Sequence, residues 1–201
     1  SEVYGSGQTT SMSESHKLSA QSPYAASKIS ADNISMSYFK SYQSPVKIIR
    51  PFNCFGPRQS LRAVIPTIIS QALFKKQIDI GNTHTTRDYT YVEDLAEAYF
   101  HVLKNKIFFG NVVNIGTNKE NKISDVIKIV QKNLDKKVKI VKRNERVRPS
   151  KSEVIRLRCN NNYIIKNSSW KPKVSLEKGI LNTTEWIKKN VSKEIISKYI
   201  V

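Results

Sequence analysis

The chain has 201 residues, 39% of them hydrophobic, and sets 34 Lys and Arg against 16 Asp and Glu for a formal net charge of +18. That length and apolar content support one large domain or one and a half small ones and exclude a disordered chain; no run nears the roughly 18 apolar residues of a membrane span, no basic segment leads into a signal-like stretch, and a cytoplasmic protein is expected. The charge draws polyanions, from nucleic acid to a nucleotide substrate, but the lysines lie in scattered pairs with no aromatic-interleaved stripe, no C2H2 spacing and no RNP-like segment, so nucleic-acid binding is only a background alternative.

SEVYG at residues 1–5 reads as a strand end, followed by a polar loop without periodicity through Ser22. Pro23 suits a first helical turn, and the helix it opens runs to about Gln43 with Ile29, Ala31, Ile34, Tyr38 and Phe39 as a rough apolar face. SPVKIIRPF is a short β-branched strand ending at Pro51, and NCFGPRQS a turn-rich loop. From Val64 the residues Ile65, Ile68, Ile69, Ala72 and Leu73 follow helical spacing to about Lys76; IDIGN is a small strand and turn. A further helix holds Val92, Leu95, Ala96, Tyr99 and Leu103, with Glu93 and Asp94 in its first turn, where the helix dipole favours acid.

NVVNIG is an apolar strand closed by Gly116, Ser124 caps a helix containing Val126, Ile127, Val130 and Leu134, and KVKIVKR alternates as a strand. An Arg-rich loop from Arg143 to about Arg158, a helix near Asn160 to Lys166 and an amphipathic helix from Leu176 to Lys189 complete the pass. This alternation predicts an α/β protein with at least part of a parallel sheet. The 201 residues contain no glycine-rich strand-to-helix fingerprint, and a C-terminal part of a longer protein is expected.

SPYAASK carries the chemistry. On a helix Tyr24 and Lys28 share a face, roughly 6 Å apart at Cβ, and an ammonium beside a phenol favours the phenolate, so proton exchange with a sugar hydroxyl becomes feasible near neutral pH. In so lysine-rich a chain the same spacing also arises by chance. Cys54 and Cys159 lie far apart outside any CxxC spacing, and His16, His84 and His101 have no metal-ligand spacing, so neither a disulfide framework nor a metal site is indicated. Trp170 and Trp186 are assigned to the core.

The ordered segments SEVYG, SPYAASK, IIRPFNCFGPRQ, RDYTYVEDLAEA and VVNIG resemble the extended short-chain dehydrogenase/reductase family of nucleotide-sugar enzymes over nearly the whole chain. RPFNCFGPRQSLRAVIPTII and RVRPSKSEVIRL are most similar to NAD-dependent UDP-N-acetylglucosamine 4,6-dehydratases. The resemblance implies the C-terminal part of a Rossmann-like parallel-sheet domain over residues 1–60, with strand returns near 80–120. It implies a small mixed α/β substrate-binding domain mainly over residues 61–201, a homodimer, a nucleotide-sugar substrate and NAD as cofactor.

On the same resemblance, Tyr24 is the base that takes the sugar C4 hydroxyl proton and Lys28 holds the nicotinamide ribose. Glu2 is the base that removes the C5 proton. Ser1 stands where the best-known hexose dehydratases carry an acidic Asp that helps the C6 hydroxyl depart, and serine is a much poorer acid. Pro51 lies where backbone approaches the nicotinamide, Asn53 matches a substrate-contacting asparagine, and Arg87 and Arg148, assisted by Arg62, match arginines that grip a diphosphate, a task suited to guanidinium forks. Read without the family, Glu2 is a strand-end carboxylate, Asn53 a turn residue and the arginines surface charge. A 4-epimerase, a UDP-glucuronate decarboxylase and a noncatalytic nucleotide-sugar-binding remnant remain as alternatives.

Overall fold

A computed structural model of the chain describes residues 1–193. In chain order it holds a 3-10 turn at Glu2–Tyr4, helix α1 at Pro23–Tyr42, and strands β1 at Ile48–Pro51 and β2 at Asn53–Phe55. Helix α2 spans Val64–Phe74, followed by β3 at Gln77–Ile80, β4 at Thr86–Arg87 and β5 at Tyr89–Tyr91. Next come α3 at Val92–Lys104, β6 at Val112–Ile115, β7 at Asn121–Lys122, α4 at Ile123–Asn133 and β8 at Lys139–Lys142, then α5 at Asn162–Asn167 and α6 at Leu176–Asn190. Among the described residues no helix is long and apolar enough to cross a membrane.

Most predicted elements appear, with shifts that have local causes. SEVYG is not a strand end but a single 3-10 turn closed by Gly5, whose φ of 63° brings its backbone against Ser19 and Gln21 where no Cβ fits. The NCF of the predicted loop is strand β2. Ser124 does not cap α4: the helix begins at Ile123, and its first turn is closed by the Asp125 carboxylate accepting the Lys122 N–H at 3.2 Å. The arginine-rich stretch is partly extended, with single bridges pairing Arg156 with Thr86 and Cys159 with Met12.

Two compact units divide the chain. The first comprises residues 1–54, 86–120 and 149–173. Its centre is β1 running parallel to β6, Ile48 opposite Val112 through Pro51 opposite Ile115, with α1 against β1 and α3 against β6. Val113, Asn114 and Ile115 are all buried, the unbroken pattern of a strand covered on both faces. Ala98, Val102, Phe108, Val113, Ile115, Ile164 and Trp170 form one core cluster, and the indole N–H of Trp170 donates to the Asp94 carbonyl at 2.9 Å, so its burial leaves no polar atom unpaired. Trp186, by contrast, is only half-buried.

Helix α1 begins as its sequence predicts: Ser22 is extended, its hydroxyl accepts the Ala25 N–H at 3.1 Å, and Pro23 occupies the first turn. Gln43 at φ 52° ends it. Its apolar face is not the predicted one, for Ala31, Ile34 and Tyr38 are exposed and Ala25 is its one fully buried residue.

The second unit comprises residues 55–85, 121–148 and 174–201, of which 194–201 lie outside the described residues. Helices α2, α4 and α6 pack on one another through Ile65, Ile68, Ile69, Val126, Ile127, Val130, Ile180 and Ile187. Strand β3 runs parallel to β8. Arg143, just beyond β8, donates from Nε to Asp79 Oδ1 at 2.8 Å. Burial alone raises the Asp79 carboxyl, but the hydrogen bonds from Arg143 and Gln77 together with the Arg143 charge outweigh it and hold the group below the usual carboxylate range. A depressed carboxyl stabilises the fold above its unfolded-state pKa and loses that contribution as pH falls through the folded value. Arg143→Met is therefore expected to cost roughly 0.5 kcal/mol at neutral pH for so exposed a pair. Urea midpoints measured down a pH series should show wild type and variant converging in acid.

Candidate active site

The structure brings Tyr24 and Lys28 together. Both stand exposed on one face of α1, and Lys28 Nζ lies 5.5 Å from the centroid of the Tyr24 ring. The 3-10 turn bearing Glu2 packs against α1, and the Ser1 nitrogen donates to the Pro51 carbonyl at 3.1 Å, so that turn begins beside the C-terminal end of β1. Ser1, Glu2, Tyr24, Lys28, Pro51, Asn53 and Arg87 all belong to the first unit.

Asn53 opens β2, and its Oδ1 is buried without a hydrogen-bond partner, an arrangement that normally carries a cost and suits an atom reserved for a bound group. Arg87 is buried, donates from one terminal nitrogen to the Thr86 carbonyl at 2.8 Å and approaches the Glu153 carboxylate at 3.9 Å. Arg62 and Arg148 are exposed and belong to the second unit.

Three features were not singled out from the sequence. Arg50, in the apolar strand β1, donates from Nε to Asp32 Oδ2 at 2.8 Å and from a terminal nitrogen to the Tyr4 hydroxyl at 2.9 Å. That hydroxyl donates in turn to Asn114 Oδ1 at 2.7 Å. A lone charge in a β-branched strand is the signal that marks Arg50 in retrospect. Ser6 is the second: its hydroxyl accepts the Ile155 N–H at 3.0 Å and donates to the Glu153 carbonyl at 3.3 Å, tying the GSG loop to the segment that faces Arg87.

Asp88 is the third. Fully buried, it accepts the Thr117 N–H at 2.8 Å and hydroxyl at 2.7 Å on one oxygen and the Cys159 N–H at 3.1 Å on the other. Burial pushes its carboxyl up, opposed by those same hydrogen bonds. Gly116 is required here, because a Cβ would collide with Cys159 and crowd Asp88.

Burial also pushes both thiols up, Cys159 well above its ordinary value, and it pushes the Tyr89 phenol up to about 12. Neither cysteine is an activated nucleophile. Among the described residues no three His, Cys, Asp or Glu side chains group as a metal site. His101 approaches Glu97 at 3.8 Å.

A parallel sheet flanked by helices, with a Tyr and Lys pair exposed on the helix that follows a turn at the strand ends, defines a Rossmann-type α/β protein. Residues 1–183 match the family model described as GDP-mannose 4,6 dehydratase, and the chain belongs to that family. It is 34% identical over 199 residues to the dTDP-D-glucose 4,6-dehydratase of Mus musculus, covering 94% of this chain and 54% of the mouse protein. Among solved structures it is similar to the dTDP-glucose 4,6-dehydratase of Bacillus anthracis in complex with NAD, with TM-score 0.85 and 33% identity over 94% of this chain and 60% of that one. It is also similar to the UDP-glucuronic acid 4-epimerase of Bacillus cereus in complex with UDP-glucuronic acid and NAD, with TM-score 0.87 and 28% identity over 94% and 59%. The chain thus spans about half the length of the curated dTDP-D-glucose 4,6-dehydratase from mouse.

Asp88→Asn replaces one acceptor oxygen by an amide that must face a donor. It should cost roughly 1–3 kcal/mol, read as a lower urea midpoint.

Proposed function

We propose that this chain is the C-terminal, acid–base- and substrate-bearing part of an NAD-dependent nucleotide-sugar 4,6-dehydratase acting on a UDP-N-acetylglucosamine-like substrate. The observation that carries the reading is the exposed Tyr24 and Lys28 pair, with Lys28 Nζ 5.5 Å from the ring centroid, on a helix packed against the turn that bears Glu2. An exposed phenol and ammonium side by side fit a nicotinamide ribose and a sugar hydroxyl, and Pro51 ends the strand beside them.

Bound NAD supplies the hydride acceptor at C4 oxidation and the donor when C6 is reduced. The rest falls to side chains. Tyr24 takes the proton of the C4 hydroxyl, and Lys28 holds the ribose by hydrogen bonds. The new 4-keto group acidifies the C5 hydrogen, Glu2 removes that proton, and the C6 hydroxyl leaves as water on gaining a proton. Ser1 is a poor acid for that last transfer, and the Glu2 carboxyl, having just gained the C5 proton, is the better donor; when C6 is reduced, C5 regains a proton from solvent, to which Tyr24 returns the C4 hydroxyl proton. Asn53 accepts from the substrate, and Arg87 binds its diphosphate.

The family resemblance also implies a homodimer, and the exposed Ile34, Tyr38 and Tyr42 along α1 support pairing of that helix with its copy. We place the enzyme in the cytoplasm, in keeping with its two free cysteines.

The same Tyr–Lys pair serves a 4-epimerase, the activity named for the Bacillus cereus neighbour, and Glu2 separates the two readings. The assay mixes the chain with a glycine-rich N-terminal half from the Bacillus anthracis dehydratase, NAD and UDP-N-acetylglucosamine, and follows 4-keto-6-deoxy sugar. Product is expected from the mixture and not from the chain alone. Tyr24→Phe should lower turnover about 10²–10⁴-fold, the usual weight of a positioned proton-transfer group. Glu2→Gln should allow C4 oxidation, seen as reduced nicotinamide, yet block dehydration. A 4-epimer formed at an undiminished rate by Glu2→Gln would replace the dehydratase with an epimerase.

A further inference from the structure

Helix α1 is 20 residues long, yet little of it is covered. The residues that touch the body of the first unit include Ala25, which is buried, Ile29, which packs on the cluster around Val3, Tyr4 and Phe52, and Phe39, whose ring lies against Gly110. Asp32 falls on the same inward stripe, where helical periodicity calls for an apolar side chain. A carboxylate there costs free energy unless it is paired.

Its partner is Arg50, with side-chain exposures of 8% for the arginine and 18% for the aspartate. The same guanidinium bonds the Tyr4 hydroxyl and stacks over its ring, its central carbon 5.1 Å from the centroid. Tyr4 is fixed by Asn114 of β6, whose backbone N–H and side chain are held by Glu14 at 2.9 Å and the Met12 carbonyl at 3.1 Å. One cation therefore joins three elements: the turn that carries Glu2, the helix that carries Tyr24 and Lys28, and the strand that ends at Pro51.

We propose that Arg50 is a positioning residue of the reaction, acting through Asp32 and Tyr4 to fix the separation between the Tyr24 and Glu2 proton-transfer groups. Asp32 lies one helical turn beyond Lys28, so the clamp grips α1 next to the pair rather than at its far end. The planar fork of arginine serves two acceptors in two directions at once, a geometry that the single ammonium of lysine does not reproduce. Small displacements of proton-transfer groups are costly in rate while leaving binding of the distant nucleotide intact, which sets the kinetic signature of such a residue. The proposal rests on the dehydratase reading for the identity of the two groups, but the clamp itself does not.

Two measurements test it on Arg50→Lys and Asp32→Asn, with Arg143→Lys as a control that alters a 2.8 Å ion pair in the second unit. In the isolated chain, amide hydrogen exchange of residues 23–32 should quicken about ten-fold in both clamp variants and not in the control, with α2 unchanged. In the reconstituted assay, kcat should fall about 10–100-fold with KM for the nucleotide sugar within about two-fold. Adding Asp32→Asn to Tyr24→Phe should cost little further, because the aspartate acts through the tyrosine. Unchanged kcat in both clamp variants, a loss expressed in KM alone, or full additivity with Tyr24→Phe overturns the positioning role. Should the wild-type mixture make no keto sugar, the functional reading fails by itself, and the exchange rates of residues 23–32 still decide whether Arg50 holds α1.

Discussion

A guanidinium removed from water must be given back its hydrogen bonds, and in the first unit that requirement organises everything around it. Arg50 has Asp32 on one side and the Tyr4 hydroxyl on the other, and Tyr4 passes the constraint to Asn114 on the neighbouring strand. Replacing such a group by packed hydrocarbon is often neutral for stability, whereas removing one partner is expensive. What the arrangement supplies is therefore definition more than stability: the cation ties α1, the Glu2 turn and β1 to one another.

A second buried charge works beyond the end of β6. Asp88 gathers the N–H groups of Thr117 and Cys159 and the Thr117 hydroxyl, closing the loop after β6 against the segment that follows the arginine-rich stretch. The arginine-rich stretch itself receives Ser6 of the GSG loop and presents Glu153 to Arg87. The candidate acid–base groups and the buried candidate anion-binding arginine are thus held by side-chain hydrogen bonds and ion pairs that tie distant segments of the first unit together. The proposed chemistry needs such rigidity, since it asks two proton-transfer groups to act in turn on adjacent carbons.

The large positive charge has a less specific place in this picture. Many lysines are solvated, Lys136 instead donates to the Ala72 carbonyl, and Lys47 to the carbonyls at the end of α3. Charge of this kind favours approach of an anionic nucleotide sugar without choosing it. In the proposed reading, choice falls to groups with fixed geometry, such as Asn53 and Arg87.

Local pattern was enough to read the alternation of helices and strands, the first turn of α1 and the shared face of Tyr24 and Lys28, because spacing along a helix dictates which side chains are neighbours. The motif order was enough to reach the family. What escaped were features whose partners are distant in sequence: β2, whose three residues carry no periodicity; the outward turn of Ile34 and Tyr38, since periodicity defines a stripe but not what it faces; and the links from Arg50 to Tyr4 and from Asp88 to Cys159, which span 46 and 71 residues. Residue spacing fixes geometry within one turn of helix. Only the closed chain, by burying a charge and so demanding a partner for it, decides which distant groups must meet.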